Sequence, residues 1–198
     1  MAYQIDQKLA DAVYSSANTI TIYDEDGITP LSTWKKAALE KDADDNPTKY
    51  LEYSNPSTGY YGAVYTDGNG EYILANRGTE ITRASDIHAD INMWQGKVPA
   101  QLADAKKLMD QADNKGFTIS EIVGHSLGGS LSQMLGVIYN IETTTYNAYN
   151  TREILDSAKL LNQEQRSEYS DKVAQLGREL AAMPASDPQL AIMRKNAL

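Results

Sequence analysis

Apolar positions near the start of the chain recur at helical spacing in two places. Tyr3, Ile5, Leu9, Ala12, Val13 and Ala17 fall close to one face over residues 3–18, and STWKKAALEK at 32–41 repeats the pattern behind a serine cap. Two opening helices are expected. The run KDADDNPTKYLEYSNPSTG, residues 41–59, is polar, holds two prolines and reads as a loop. At Tyr60 the period changes to two. YYGAVYTD and EYILANRG carry β-branched and aromatic residues on either side of a turn at Asp67-Gly68, which predicts a hairpin with strands at about 60–66 and 71–77.

After the loop GTEITRA, Ser85 is placed to cap a short helix, DIHADINMW, and Pro99 to open a longer one over 99–114 that Gly116 closes. FTISEIVG at 117–124 is β-rich with few charges, as a strand buried on both faces would be. Small and apolar residues then recur at helical spacing from Leu127 to Tyr139, and TTTYNAY at 143–149 reads as another strand. Beyond it only Thr151, Ile154, Val173 and Ile192 are β-branched, so the segment 151–198 is expected to be helical, with a break at Met183-Pro184. Strands alternating with helices give an α/β class, and 198 residues fit one domain.

Composition changes the picture mainly for partners. Thirteen tyrosines against one phenylalanine imply an aliphatic core with half-buried tyrosines whose hydroxyls face outward. A net charge of -9 repels nucleic acid and anionic membrane surfaces alike, so neither is an expected partner. With no cysteine there is no disulfide and no thiolate metal site, which leaves the compartment open. The first residues lack the basic start and apolar run of a signal peptide, and no stretch approaches the ~18 apolar residues of a transmembrane helix. A soluble protein without a classical export signal is expected.

The candidate chemistry lies in EIVGHSLGGSLSQMLG, 121–136, where Gly124-His125-Ser126-Leu127-Gly128 forms a Gly-x-Ser-x-Gly pattern. By itself the pattern is a modest signal. A predicted strand directly before it and a predicted helix directly after it are the context of a serine nucleophile on a strained turn. Glycine at 124 and 128 relieves clashes around that turn, and the helix start offers N–H groups, Leu127 N–H among them, to a developing oxyanion. The bland alternative is a glycine-rich helix start that Ser126 merely caps.

IVGHSLGGSLSQMLG, with the upstream ILANRGTE and SDIHADI, resembles the class 3 lipases of the α/β-hydrolase fold, over roughly residues 58–150. The resemblance implies a carboxylic ester hydrolase with Ser126 as nucleophile, a lipid or other ester as substrate, and no cofactor or metal. It implies Thr79 of Arg77-Gly78-Thr79 as second oxyanion donor beside Leu127, and structural roles for Asp86 and Asp90. Such enzymes follow the chain order Ser, Asp, His. Here both histidines, His88 and His125, precede Ser126. His125 is the variable residue of the motif, and strand alternation turns it away from the serine hydroxyl. Asp156, Asp171 and Asp187 all lie in helical sequence rather than at a strand end.

The expectation is therefore a truncated α/β-hydrolase core with N-terminal helices and a helical C-terminal segment. A fragment, a split gene product and a degenerate copy account for it equally. Two functions stand: an esterase or lipase whose acid and base are missing here, or a noncatalytic module binding a lipid or partner protein. A missing next strand would leave 143–149 as a sheet edge, so self-association is expected through that edge and the apolar face of Ile154, Leu155, Leu160 and Leu161.

Overall fold

The hairpin lies at the heart of the structure. In the computed structural model, which describes residues 2–15, 17–24, 27–78, 99–149, 151–157 and 160–182, β6 (Tyr60–Thr66) pairs antiparallel with β7 (Tyr72–Arg77). The other side of β6 is shared by β5 (Glu52–Asn55) at its start and β2 (Pro30–Lys36) at its end. Beyond β2 lies β1 (Thr19–Tyr23), also antiparallel. On the far side of β7 the pairing turns parallel, first to β8 (Glu121–His125) and then to β9 (Glu142–Tyr146). The result is a mixed seven-stranded sheet in the order β1-β2-β6-β7-β8-β9 with β5 beside β6. A separate two-stranded ribbon joins β3 (Ala38–Lys41) to β4 (Pro47–Tyr50).

This architecture overturns the expected α/β-hydrolase core with N-terminal helices. Only the first opening helix exists, as α1 (Ala2–Ala12). Residues 32–41 are β2 and β3, and the expected loop at 41–59 contains β4 and β5. The sheet is consequently strand-rich and largely antiparallel, with two parallel pairings among the described residues. The cause at 32–41 is visible in the burial. Thr33 and Lys35 are exposed while Trp34 and Lys36 are buried, a period of two. Trp34 packs with Ile22 and Tyr65, so tertiary pairing overrides the helix propensity of Lys, Ala, Leu and Glu.

Both faces of the sheet are covered because the alternating side chains feed two cores. Leu9, Ala10 and Val13 of the α1 region pack on Ala63, Tyr65, Ile73, Ala75 and Val123. On the other face, α2 (Ala100–Asn114) and α3 (Leu127–Tyr139) bury Leu102, Leu108, Leu131 and Leu135 against Val64, Leu74 and Ile122. The predicted strands at 60–66 and 71–77 and the predicted helices at 99–114 and 127–139 agree with β6, β7, α2 and α3. Gly116, expected to close α2, takes a φ of 78° just beyond it.

After β9 the described chain is helical, as α4 (Arg152–Ser157) and α5 (Gln163–Ala182). The apolar residues expected to be an exposed adhesive face are not available. Ile154, Leu155 and Leu161 are buried in the core shared with α2 and α3, and Leu160 packs against it. The expected helix at DIHADINMW, with Ser85, Asp86, His88 and Asp90, lies outside the described residues, as do Thr79, Asp187 and the break at Met183-Pro184. No helix among the described residues is long and apolar enough to cross a membrane.

Where α1 meets the sheet, Asp6 is buried and faces Glu121 of β8, Glu142 of β9 and Glu71 just before β7. Burial first, and these three carboxylates next, push its carboxyl up to about 7, and it shares a hydrogen bond with Glu121. Its folded-state value thus lies above that of the unfolded chain, so the native state binds the extra proton and stability falls as pH rises from about 4 to about 7. Asp6→Asn, which mimics the protonated acid, is expected to stabilise the protein by about 1–3 kcal/mol at pH 8 and by nothing near pH 4. Thermal melts at the two pH values check it, and an equal gain at both sinks the assignment.

Candidate active site

Ser126 stands between the end of β8 and the start of α3 with φ 55° and ψ -123°. An L-residue reaches such a conformation only when its surroundings hold it there, at about 1–3 kcal/mol of strain. Several contacts do so. The Ser126 N–H donates to Tyr146 O at 2.9 Å, extending the β8–β9 ladder, and the Ser130 N–H donates to Ser126 O at 3.1 Å, beginning the helix. Its side chain makes no capping hydrogen bond, so the capping role is not the one it plays. It is half-buried at the carboxyl end of a parallel strand, where ligands of such sheets sit.

The glycines of the motif are required by close approach. A Cβ at Gly124 would run into Gly128 O and come within 2.7 Å of Gly129 N. At Gly128 it would strike Asn76 O and lie 2.8 Å from Arg77 C, and at Gly129 it would lie 2.8 Å from Ala148 Cβ. The first turn of α3 is thereby pressed against the end of β7 and the segment after β9. Gly78 stands 3.3 Å from Gly128 N and Leu127 Cβ by the same measure, so the chain leading to Thr79 runs alongside the turn. Leu127 is buried at the first position of α3, where N–H groups lack an acceptor within the helix.

Beneath the serine lies a polar network that sequence patterning does not single out. Tyr60 donates its hydroxyl proton to Asn76 Oδ1 at 2.8 Å, and Asn76 Nδ2 donates to Ser132 Oγ at 3.0 Å. Ser132 Oγ lies 2.9 Å from the carbonyls of both Val123 and Gly128. All three side chains are buried, and the network joins β6, β7, β8 and α3 directly below the turn. Burial, and then Asp104, push the Tyr60 hydroxyl far up, which keeps it a neutral donor. Ser130 adds a clasp: Tyr149 N–H donates to its hydroxyl oxygen at 3.0 Å, and that hydroxyl lies 3.2 Å from Tyr149 O. The available signal is polar Ser130 and Ser132 among the mostly small and apolar residues of that helix.

Of the two histidines, His125 is turned to its own neighbours. Its ring meets Tyr14 edge-on at 6.5 Å between centroids, and Nε2 lies 3.5 Å from Asn147 Nδ2. No imidazole touches Ser126 Oγ among the described residues. Asp171 is exposed on α5. Tyr14 has a second contact, accepting the Gly78 N–H at 2.9 Å, and it also walls a cleft of about 620 Å³ lined by Lys36, Glu52, Tyr61 and Arg77. No cluster of three or more metal-ligating side chains occurs among the described residues.

A serine held at a positive-φ turn between a parallel strand and a helix is how hydrolases present a nucleophile. The family model described as a Tle-like phospholipase domain matches residues 6–181, and the chain belongs to that phospholipase-like family. No curated protein matches the chain significantly. The likeness to class 3 lipases therefore holds at the coarser level of lipase- and phospholipase-like ester hydrolases.

Proposed function

We propose that the protein hydrolyses a carboxylic ester of a phospholipid, with Ser126 as nucleophile. The backbone of Ser126 carries the reading: a strained conformation at a non-glycine residue, over-determined by Gly124, Gly128 and the Asn76–Ser132 network, has no structural use at a helix start. Ser126 Oγ attacks the ester carbonyl once its proton has passed to hydroxide from solvent, and the tetrahedral oxyanion is met by Leu127 N–H and by Thr79 N–H and hydroxyl. Collapse expels the alcohol and leaves an acyl-enzyme that water hydrolyses. The motif likeness to class 3 lipases supports the role of Thr79, and the path of Gly78 beside the turn agrees with it. An alkyl fluorophosphonate tests the reading, since it should add to Ser126 and be found there by peptide mass spectrometry. An adduct that fails to form even at high pH with added imidazole, where the hydroxyl is activated without any base of the protein, overturns the reading.

A second reading, a noncatalytic lipid-binding module, is favoured by the engagement of His125 with Tyr14 and Asn147. It predicts vesicle binding with no adduct at Ser126.

The proposal of self-association narrows to the backbone of β9, whose one strand partner among the described residues is β8. Concentration-dependent dimers in light scattering are expected, and a clean monomer at high concentration removes the proposal.

A further inference from the structure

One helix touches both ends of the strand that leads to the serine. Near its start, Asp6 of α1 is buried and hydrogen-bonded to Glu121, the first residue of β8. Beyond Ala12 the winding continues, because the Tyr14 N–H donates to Asp11 O at 3.1 Å and the Ser15 N–H to Ala12 O at 2.9 Å. Tyr14 then meets the far end of β8: its ring packs edge-on against His125, the last residue of the strand, and its hydroxyl accepts the N–H of buried Gly78 at 2.9 Å. From Asp6 to Tyr14 a helix rises about 12 Å, and from Glu121 to His125 a strand rises about 13 Å. The two lengths match, so α1 links the two places.

The Asp6 end is held by a proton. Ionised carboxylates only accept hydrogen bonds, so the bond between Asp6 and Glu121 lasts only while one of them is protonated. Asp6 donates and Glu121 accepts, and Glu121 takes a second hydrogen bond from Thr144 of β9. The charged groups facing Asp6 are all acidic: Glu121 from β8, Glu142 from β9 and Glu71 from just before β7. In β1, which also packs on the helix, the one titratable side chain is exposed Tyr23, and Lys8 and Asp11 of α1 itself are exposed. Tyr72 of β7 packs into the core on the opposite face, while Arg77, His125 and Tyr146 end β7, β8 and β9 at the serine end. Loss of the proton thus leaves a buried carboxylate among three others and drives the helix off the sheet.

We infer that Tyr14 is a positioning residue for the serine turn, and that the proton shared by Asp6 and Glu121 decides whether it holds Gly78 against the first turn of α3. The inference goes beyond the reading of Ser126 as a nucleophile and does not depend on it. The Asp6 carboxyl is pushed up to about 7 in the docked helix and returns to about 4 when released. Docking is therefore strongest below about pH 4, release grows up to about tenfold per pH unit, and it levels off above about 7.

Amide hydrogen exchange on full-length, isotope-labelled protein tests this, with Gly78 as reporter because its N–H is the group Tyr14 holds. Taking the ratio of wild type to Asp6→Asn at each pH cancels the intrinsic pH dependence of exchange, and the introduced amide keeps a donor to Glu121 that does not titrate. Between about pH 5.5 and 7.5 the Gly78 ratio is expected to rise about tenfold or more, with Gly78 less protected at both values than Ala105 and Leu108 of α2. Tyr14→Phe, which removes the acceptor, is expected to make Gly78 exchange fast and equally so with or without Asp6→Asn, while the pH dependence of melting persists. A ratio that stays constant with pH overturns the inference. So does a Gly78 protected as strongly as α2, exchanging only when the whole protein unfolds, or one whose exchange Tyr14→Phe leaves unmoved. Should Tyr14→Phe not fold, the Asp6→Asn comparison decides. No adduct at Ser126 enters the readout, so this inference and the nucleophile reading fail separately.

Discussion

A fluorophosphonate is expected to modify Ser126 in this chain about four to six powers of ten more slowly than a serine hydrolase with its triad intact, the loss that removal of a triad member brings. On the proposed reading the turn presents the hydroxyl beside the Leu127 N–H, yet nothing among the described residues takes the hydroxyl proton. His125 is held by Tyr14 and Asn147. The labelling rate should therefore climb steadily with pH, as alkoxide becomes available, without the inflection near 6–7 that a titrating imidazole produces. Added imidazole should accelerate it. Rapid labelling with such an inflection, abolished by His88→Ala in a protein that still melts cooperatively, would sink this expectation and make His88 the base.

How far the fold could be read from the sequence depends on where local and tertiary preferences agree. At β6 and β7 they do: YYGAVYTD and EYILANRG are β-formers, alternate in burial and flank a turn, so the hairpin was legible. At 32–41 they conflict. Lys, Ala, Leu and Glu favour a helix, but the packing of Trp34 on Ile22 and Tyr65 and the ion pair of buried Lys36 with Glu52 require the extended chain. None of these three partners is local in sequence, and that is why the strand was invisible. The same holds for β4 and β5, where 47–55 alternates too weakly to compete with Pro47 at its start and Asn55 at its end. Once β2 and β5 are strands, the sheet gains an antiparallel half, and the expected architecture gives way.

At the site, the part that is contiguous in the chain was readable and the part that converges from elsewhere was not. Gly124, Ser126 and Gly128 announce a strand-to-helix turn because each spacing has a steric reason within five residues. Asn76, Tyr60 and Ser132 become a unit only when three strands and a helix meet. Tyr14 is further removed: it comes from the turn just after α1 yet touches Gly78 and His125. No pattern in residues 1–18 distinguishes it from the other tyrosines.

Gly128→Val is expected to destabilise the protein by about 3 kcal/mol or more, as overpacking against fixed backbone does. The reason is space and not dihedral angle, because Gly128 is not among the glycines with positive φ. Its missing Cβ faces Asn76 O and lies 2.8 Å from Arg77 C, both main-chain atoms of a central strand that cannot yield as a flexible side chain can. Valine must push α3 away from β7, which stretches the Ser132 contacts to Val123 and Gly128 and relaxes the turn that strains Ser126. Even Gly128→Ala should show much of the effect. For a chain of this size the melting temperature should fall by roughly 6–12 °C. Gly68→Ala is the control: its φ of 83° resists a side chain, but nothing lies within 4 Å of the added atom, so the loss should stay near about 1 kcal/mol. Melting curves for the three variants, with fluorophosphonate access to Ser126 measured alongside, separate the two causes. Unchanged melting and unchanged access in Gly128→Val would mean that the helix start is not pressed against β7, and the case for a strained serine would fall with it.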